Sequence, residues 1–97
     1  MKKQSAVETT WWLEWGAVPA LHWARLQICS DGTAVVLDLD GRYHTFKSRE
    51  EAHLWLAEDE YSLAENVVKE ENLIGVTPPH AANDEELIPL MLARETR

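Results

Sequence analysis

The chain has 97 residues, of which 45% are hydrophobic and 27% are charged, and its formal net charge is -8. This length fits one domain, and the apolar fraction is sufficient for a core, which excludes a wholly disordered chain. The acidic excess argues against direct nucleic-acid binding and against attraction to anionic membranes, because both need clustered lysine and arginine. It suits solubility alone or a basic protein partner.

The single cysteine, Cys29, excludes an internal disulfide and a cysteine-based zinc site. No apolar run approaches the ~18 residues that a membrane-spanning helix needs. Residues 1–5 have a basic start, but no apolar stretch of the kind found in signal peptides follows them. We therefore expect a cytoplasmic protein in which residues 1–8 are loose, residues 9–75 form one domain, and residues 76–97 are a linker and C-terminal segment.

A tryptophan-rich segment, residues 9–15, is the first predicted element. Threonine and tryptophan favour strands, and strand alternation would place Trp11, Leu13 and Trp15 on one face. A single helical turn, which would group Trp11, Trp12 and Trp15 instead, is the alternative. We expect the strand.

The clearest element is a hairpin of residues 22–29 and 33–40 around Asp31-Gly32. This dipeptide is typical of the type I′ turn, whose two central residues both need positive φ. A two-residue loop gives the strands one apolar face and one mixed face. The apolar face is expected to carry Ala24, Leu26, Ile28, Val35, Leu37 and Leu39.

The mixed face of this hairpin carries Trp23, Arg25 and Val36, and the same register places Asp38 opposite Arg25. An opposite-charge pair across two strands is stabilising. Five tryptophans are many for a chain of this size, and tryptophan is enriched at binding hot spots. We expect Trp23 on this outer face, beside Tyr43 of the next strand, where it is available to a partner unless residues 76–97 cover it.

A second Asp-Gly turn, Asp40-Gly41, leads into a third strand over residues 42–47. A two-residue loop here places Leu37 opposite His44 on the apolar face. The result is a three-stranded antiparallel meander, or a four-stranded one if the tryptophan-rich segment joins it.

Two capping boxes predict two helices after the meander. Ser48 and the glutamate three residues later indicate a helix over residues 49–60, and Ser62 with its own glutamate indicates a helix over residues 63–72. The apolar stripe of the first helix should lie on the sheet, and Asp59 would fall on this stripe if the helix continued, which predicts a break near Glu60-Tyr61. We therefore predict an α+β fold with both helices on one face, followed by a C-terminal tail or a short helix. Asn83 or Asp84 could cap such a helix over residues 85–94, or the helix could begin only at Pro89.

No motif in the chain carries a recognisable chemistry. The consecutive acids of residues 58–60 point in directions about 100° apart, so they do not converge on one atom. Ser48 and Ser62 are accounted for as helix caps, and Cys29 has no neighbour that would favour its thiolate form. We expect no catalytic residue, no cofactor and no metal, since paired ligand spacing is lacking in His22, His44, His53 and His80.

Residues 38–48, together with Glu50, Glu51 and Ala52 and with residues 55–61, resemble small bacterial proteins of unknown function, of a cyanobacterial type. The shared pattern is a hairpin, a capping box and a helix. The resemblance implies no activity, cofactor or catalytic residue. At the level of the fold, the layout also resembles small phage-encoded inhibitors.

We interpret the chain as a non-enzymatic protein-interaction module, an adaptor or accessory factor. The predicted contact residues are Trp23, Arg25, Val36, Tyr43, Glu58 and Glu60. The first four would contact the partner from the outer sheet face, and the glutamates would steer a basic partner. One alternative is an acidic inhibitor that mimics nucleic acid and blocks a nucleic-acid-binding protein; another is an enzyme of unseen chemistry. A mimic needs acids in rows over one face, whereas an adaptor needs an exposed apolar patch.

Overall fold

The architecture is α+β, as seen in a computed structural model that describes residues 6–14, 22–38, 40–73 and 76–93. Within these residues the strands are β1 (Ala6–Glu14), β2 (His22–Cys29), β3 (Ala34–Leu37), β4 (Tyr43–Phe46) and β5 (Ser62–Leu63). The helices are α1 (Arg49–Glu58), α2 (Ala64–Glu70) and α3 (Asp84–Ala93). None of the described helices is long and apolar enough to cross a membrane.

The strands form one antiparallel sheet in the order β4-β3-β2-β1-β5. The tryptophan-rich segment is a strand, as predicted, and it pairs with β2 along its length. It begins at Ala6, so residues 6–8, which we expected to be loose, are part of the sheet. Trp15, expected on the same strand, and Leu39, expected on the apolar face of the hairpin, lie outside the described residues.

Both Asp-Gly turns are one residue longer than predicted. The Cys29 amide donates to the Thr33 carbonyl at 2.8 Å, so three residues lie between the paired positions. Gly32 ends this loop in the left-handed region, with φ of 91°, as the three-residue hairpin with a bulge requires. The second turn repeats the pattern, with the Asp38 amide donating to the Arg42 carbonyl at 2.9 Å.

Because each loop is one residue longer, the side chains of β3 lie on the faces opposite to those predicted, whereas the side chains of β2 and β4 lie on the predicted faces. Leu26 lies opposite Val36 rather than Leu37, and Val36 in turn lies opposite His44. A shift of one residue moves every side chain of a strand to the other face. Val36, expected on the outer face, is therefore fully buried in the core.

Helices cover both faces of the sheet, which corrects the prediction that they pack on one face. One face, covered by α1, buries Ala24, Leu26, Ile28, Ala34, Val36, Ala52, Leu56 and Tyr61. The opposite face, covered by α2 and α3, buries Leu13, Trp23, Leu37, Ala64, Val67, Leu87 and Met91. The central strands carry apolar side chains on both sides, so both sides need a cover.

Helix α1 has the predicted start and the predicted end. The Ser48 hydroxyl accepts from the Glu51 amide at 3.3 Å, and the Glu51 carboxylate accepts from the Lys47 amide at 3.1 Å. At the other end, Glu60 has a φ of 66°, and the Tyr61 amide donates to the carbonyl of Leu56 at 2.9 Å. This is a Schellman ending, and it confirms the predicted break at Glu60-Tyr61.

The second capping box is wrong, because Ser62 lies in a strand. Ser62 and Leu63 pair with β1 as β5, and α2 begins only at Ala64 without a side-chain cap. The C-terminal segment is also more than a linker. Asn83 caps α3 by accepting from the Glu86 amide at 3.0 Å, and the helix supplies two core residues.

Candidate functional site

The predicted anchor Trp23 is not exposed. Its side chain is 4% accessible and belongs to the core cluster that includes Leu87 and Met91 of α3. The ring also stands edge-on to Trp11, with ring centres 6.1 Å apart. The prediction of an exposed tryptophan is wrong because the C-terminal helix covers the outer face.

Arg25 and Tyr43, also predicted contact residues, are joined by Asp84 at the start of α3. The two terminal nitrogens of Arg25 donate to the Asp84 carboxylate at 2.8 and 3.0 Å, and the Tyr43 hydroxyl donates to it at 2.6 Å. The bond to Asp84 raises the pKa of Tyr43. We call these three residues the Arg25 cluster. The predicted pair with Asp38 is wrong, because Leu37 lies opposite Arg25.

Acidic side chains from four chain segments meet at one end of the sheet, and we call this region the acidic end. The segments are the end of β1, the β3–β4 turn, the α1–β5 connection and the end of α2. Its members, which line two depressions, are Glu14, Asp38, Asp40, Asp59, Glu60, Glu70 and Glu71. Of the predicted steering acids, Glu60 belongs to this set, and Glu58 is an exposed residue at the end of α1.

The first depression, which we call the Tyr61 pocket, combines acids with aromatic rings. Its volume is about 190 Å³. The lining residues are Glu14, Asp38, Asp40, Trp55, Asp59 and Tyr61. Such a lining offers negative charge, hydrogen-bond acceptors and a π face to one occupant.

Asp38 is the most firmly held acid of the pocket. Its Oδ1 accepts from the amides of Asp40 and Arg42, both at 2.9 Å, and its Oδ2 lies 2.6 Å from Nε2 of His44. Burial alone would raise the pKa of Asp38, but these hydrogen bonds outweigh burial and lower it. Its charge is therefore kept, and its direction fixed, by the turn.

Tyr61 forms the buried part of the pocket. Its side chain is 5% accessible, and its hydroxyl has no hydrogen-bond partner among the described residues. Burial raises the pKa of Tyr61, and the nearby charges of Glu14, Asp38, Asp59 and Asp40 raise it further. The charges of these four carboxylates therefore disfavour loss of the proton from this buried hydroxyl.

The second depression adjoins the first and has a volume of about 160 Å³. It is lined by Leu13, Glu60, Ser62, Val67, Glu70 and Glu71. The two depressions are linked along the chain, because Leu13 precedes Glu14 and Glu60 follows Asp59. The acidic end therefore continues from the face covered by α1 to the face covered by α2.

The described chain also contains histidines and an apolar cleft. In the described part of the chain no group of three or more His, Cys, Asp or Glu side chains is arranged to hold a metal ion. His22 lies 2.8 Å from Glu14, the His53 ring is tilted against Trp12 with ring centres 5.0 Å apart, and His80 is exposed. An apolar cleft of about 550 Å³ lies between β1 and α2, where Trp11 and Trp23 contribute to its wall.

Sequence reasoning found only part of the acidic end. It placed Asp59 on the apolar stripe of α1, whereas the structure exposes this side chain at the end of the helix. It missed Glu14, Asp38 and Tyr61, because pairing of β5 with β1 is what brings these segments together.

Comparison of the chain with models of protein families, with curated proteins and with solved structures finds no match. The resemblance of residues 38–61 to small bacterial proteins stays a prediction. The argument about function therefore rests on the geometry of the acidic end.

Proposed function

We propose that this protein is a non-enzymatic interaction module that binds a basic protein partner through the acidic end. The observation that supports the proposal is the meeting of acids from four segments around two adjoining depressions. Carboxylates gathered in this way repel one another, and a cationic partner relieves that repulsion. The destabilisation that this repulsion causes in the isolated chain is therefore consistent with a binding role.

Two of the chain's arginines are bound to acids outside the acidic end. Arg25 is bound to Asp84, and Arg49 is bound to Glu8 at 2.6 Å, so neither lines the two depressions. The whole chain has 17 acidic and 9 basic residues, which leaves a net negative charge to steer a positive partner.

The positions of possible nucleophiles favour binding over catalysis. Cys29 is buried, Ser48 is a helix cap, and Ser62 lies in β5 away from any described histidine partner. Nucleophilic catalysis needs such a group beside a base that activates it.

An adaptor is favoured over a mimic of nucleic acid by the shape of the site. The acids line separate depressions at an end of the sheet, and a depression accepts individual side chains of a partner. A duplex backbone presents phosphates in regular rows. A captured partner that is displaced by nucleic acid would support the mimic instead.

The experiment compares two double variants of equal net charge. Glu60→Gln with Glu70→Gln removes two charges from the acidic end, whereas Glu50→Gln with Glu86→Gln removes two charges from exposed helix starts. A basic peptide of about ten residues is titrated into each by calorimetry at two salt concentrations, since about ten residues can span adjoining depressions.

We expect the first double variant to weaken binding and to reduce its salt dependence, and the second to resemble the unchanged protein. Equal weakening by both variants would mean that net charge alone attracts the peptide, and the proposal of a site at the acidic end would be rejected.

A further inference from the structure

Strand β1 has an open edge over residues 8–11. On its outer side β1 pairs with β5 at Trp12 and Leu13, and none of the described strands continues this ladder towards Glu8. Every second residue of a strand points its N–H and C=O to the same edge, so residues 8–11 present unpaired backbone donors and acceptors. A bulge between Ala6 and Glu8 ends the regular edge on the far side.

This edge lacks the side chains that usually protect an exposed strand. Proteins prevent unwanted pairing at such edges with lysine, with proline or with a covering element. Residues 8–11 include neither lysine nor proline, and the carboxylate of Glu8 is bound to Arg49 at 2.6 and 2.8 Å. Val7, in the bulge, is 67% exposed. The open edge is therefore available to another strand.

The apolar cleft between β1 and α2 shares Thr9, Thr10 and Trp11 with the open edge, and its volume is about 550 Å³. Its opposite wall is formed by α2 and by the segment that follows α2. The charged residues of the lining are Glu65 and Lys69, whose charges balance. A cleft of this size and charge suits uncharged apolar side chains.

We propose that the open edge of β1 binds an extended segment of a partner protein as an added strand, with its apolar side chains in the cleft. Backbone hydrogen bonds to β1 provide the affinity in this mode of binding. The cleft selects apolar residues at every second position of the segment, because alternate side chains of a strand point to one face. The site uses a different stretch of β1 from Glu14 of the acidic end, so the inference does not depend on the proposed function.

Charge and size favour a partner segment over a second copy of this chain. Two copies would each carry a net charge of -8 and would repel one another. Residues 8–11 also extend over only about 13 Å. An edge of this length is too short to bury by itself the ~800 Å² on each side of a standard interface between folded proteins. A short extended segment matches it.

The test is amide hydrogen exchange of the isotope-labelled full chain, followed by nuclear magnetic resonance. The probe is a capped peptide of about eight residues in which valine alternates with lysine, long enough to cover the open edge. A second peptide of the same sequence carries N-methyl groups on its amides, so it keeps its charge and side chains but cannot donate to β1. The variants are Val68→Gln, in the wall of the cleft, and Leu54→Gln, a matched control at an exposed leucine of α1.

We expect the first peptide to slow exchange at alternate amides of residues 8–11 and the N-methylated peptide to leave them unchanged. Val68→Gln should lower the affinity for the first peptide about tenfold, because an apolar contact in the cleft is lost. Leu54→Gln should bind the peptide as the unchanged protein does.

Equal binding of the two peptides, absence of protection at residues 8–11, or an unchanged affinity of Val68→Gln would overturn the inference. Protection that grows with protein concentration in the absence of peptide would assign the edge to a second copy instead. Loss of protection in the double variant Glu60→Gln with Glu70→Gln would place the peptide at the acidic end, which would overturn the added strand and support the proposed function.

Discussion

The Arg25 cluster and the Tyr61 pocket place a tyrosine beside carboxylates in two different states. In the cluster, the Tyr43 hydroxyl donates to Asp84, which also binds a guanidinium from the same chain. In the pocket, the Tyr61 hydroxyl has no partner among the described residues. The first arrangement therefore holds α3 on the sheet, although Nε of Arg25, like the Tyr61 hydroxyl, is buried without a hydrogen-bond partner among the described residues.

The Arg25 cluster and the Tyr61 pocket lie next to each other at the end of β3. The length of the two Asp-Gly turns decides which residues belong to each region. Leu37 lies opposite both Arg25 and Tyr43, and the next residue, Asp38, lines the Tyr61 pocket. In the predicted register Asp38 would have faced Arg25. The longer turns separate them, so Arg25 binds Asp84 and Asp38 belongs to the acidic end.

The largest expected effect comes from Leu37→Ala, at the boundary of the two regions. Leu37 is fully buried beneath α2 and α3, so its truncation should lower the free energy of unfolding by ~2–5 kcal/mol. Urea denaturation measures the loss. The control is Leu54→Ala, since Leu54 is 65% exposed on α1 and should change little. An unchanged midpoint for Leu37→Ala would refute the core position of this residue.

A smaller loss is expected from Asp84→Asn, which tests whether the Arg25 cluster is structural. The Arg25 side chain is 11% exposed and that of Asp84 is 40% exposed, so the cost should fall near ~2 kcal/mol, below the 3–5 of a fully buried pair. Glu8→Gln, which breaks the exposed pair with Arg49, should cost much less. If thermal or urea unfolding shows equal losses of stability for Asp84→Asn and Glu8→Gln, the Arg25 cluster is no more important to the fold than the exposed pair.

Removal of the hydroxyl should change the free energy of unfolding in opposite directions at Tyr61 and Tyr43. Tyr61→Phe removes a buried group that has no partner, so it should raise the free energy of unfolding by about 1 kcal/mol. Tyr43→Phe removes a bond to Asp84 from a half-exposed residue and should lower that free energy by ~0.5–1 kcal/mol. Urea midpoints of the two variants give the comparison directly, and a loss for Tyr61→Phe would show that its hydroxyl is already satisfied.

The sequence predicted the strands and the turns but not the register of β3, and the reason is physical. An Asp-Gly pair occurs both in two-residue loops and in three-residue loops that end in a left-handed glycine. The alternation of Ala34, Val35, Val36 and Leu37 is apolar on both faces, so burial could not decide between the two registers.

The sequence predicted only those parts of the candidate site that depend on residues close together in the chain. The break at Glu60-Tyr61 follows from the helical stripe of α1, because a longer helix would place Asp59 on the apolar side. The role of Ser62 was missed because its capping-box pattern competes with pairing to Leu13, and tertiary pairing prevailed. Whether residues 76–97 or a partner cover Trp23 stayed open in the sequence, because a strand pattern alone does not show that α3 returns to pack on it.

The smallest expected effect is a pH dependence that separates the pocket from the Arg25 cluster. The hydrogen bonds to Asp38 lower its pKa in the folded state, so its charge stabilises the protein above the unfolded value near pH 4. That contribution is lost as the pH falls through the folded pKa. Asp38→Asn should therefore differ from the unchanged protein more at pH 7 than at pH 3.

The measurement is the urea midpoint of both proteins at the two pH values, with Tyr43→Phe as the control. Tyr43 has its pKa raised by Asp84, far above this range, so the effect of its hydroxyl should not follow Asp38. A difference between Asp38→Asn and the unchanged protein that grows on acidification would mean that burial outweighs the hydrogen bonds. Asp38 would then be held in the pocket at a net cost to the fold, in contrast to Asp84, whose carboxylate is paired with the Arg25 guanidinium.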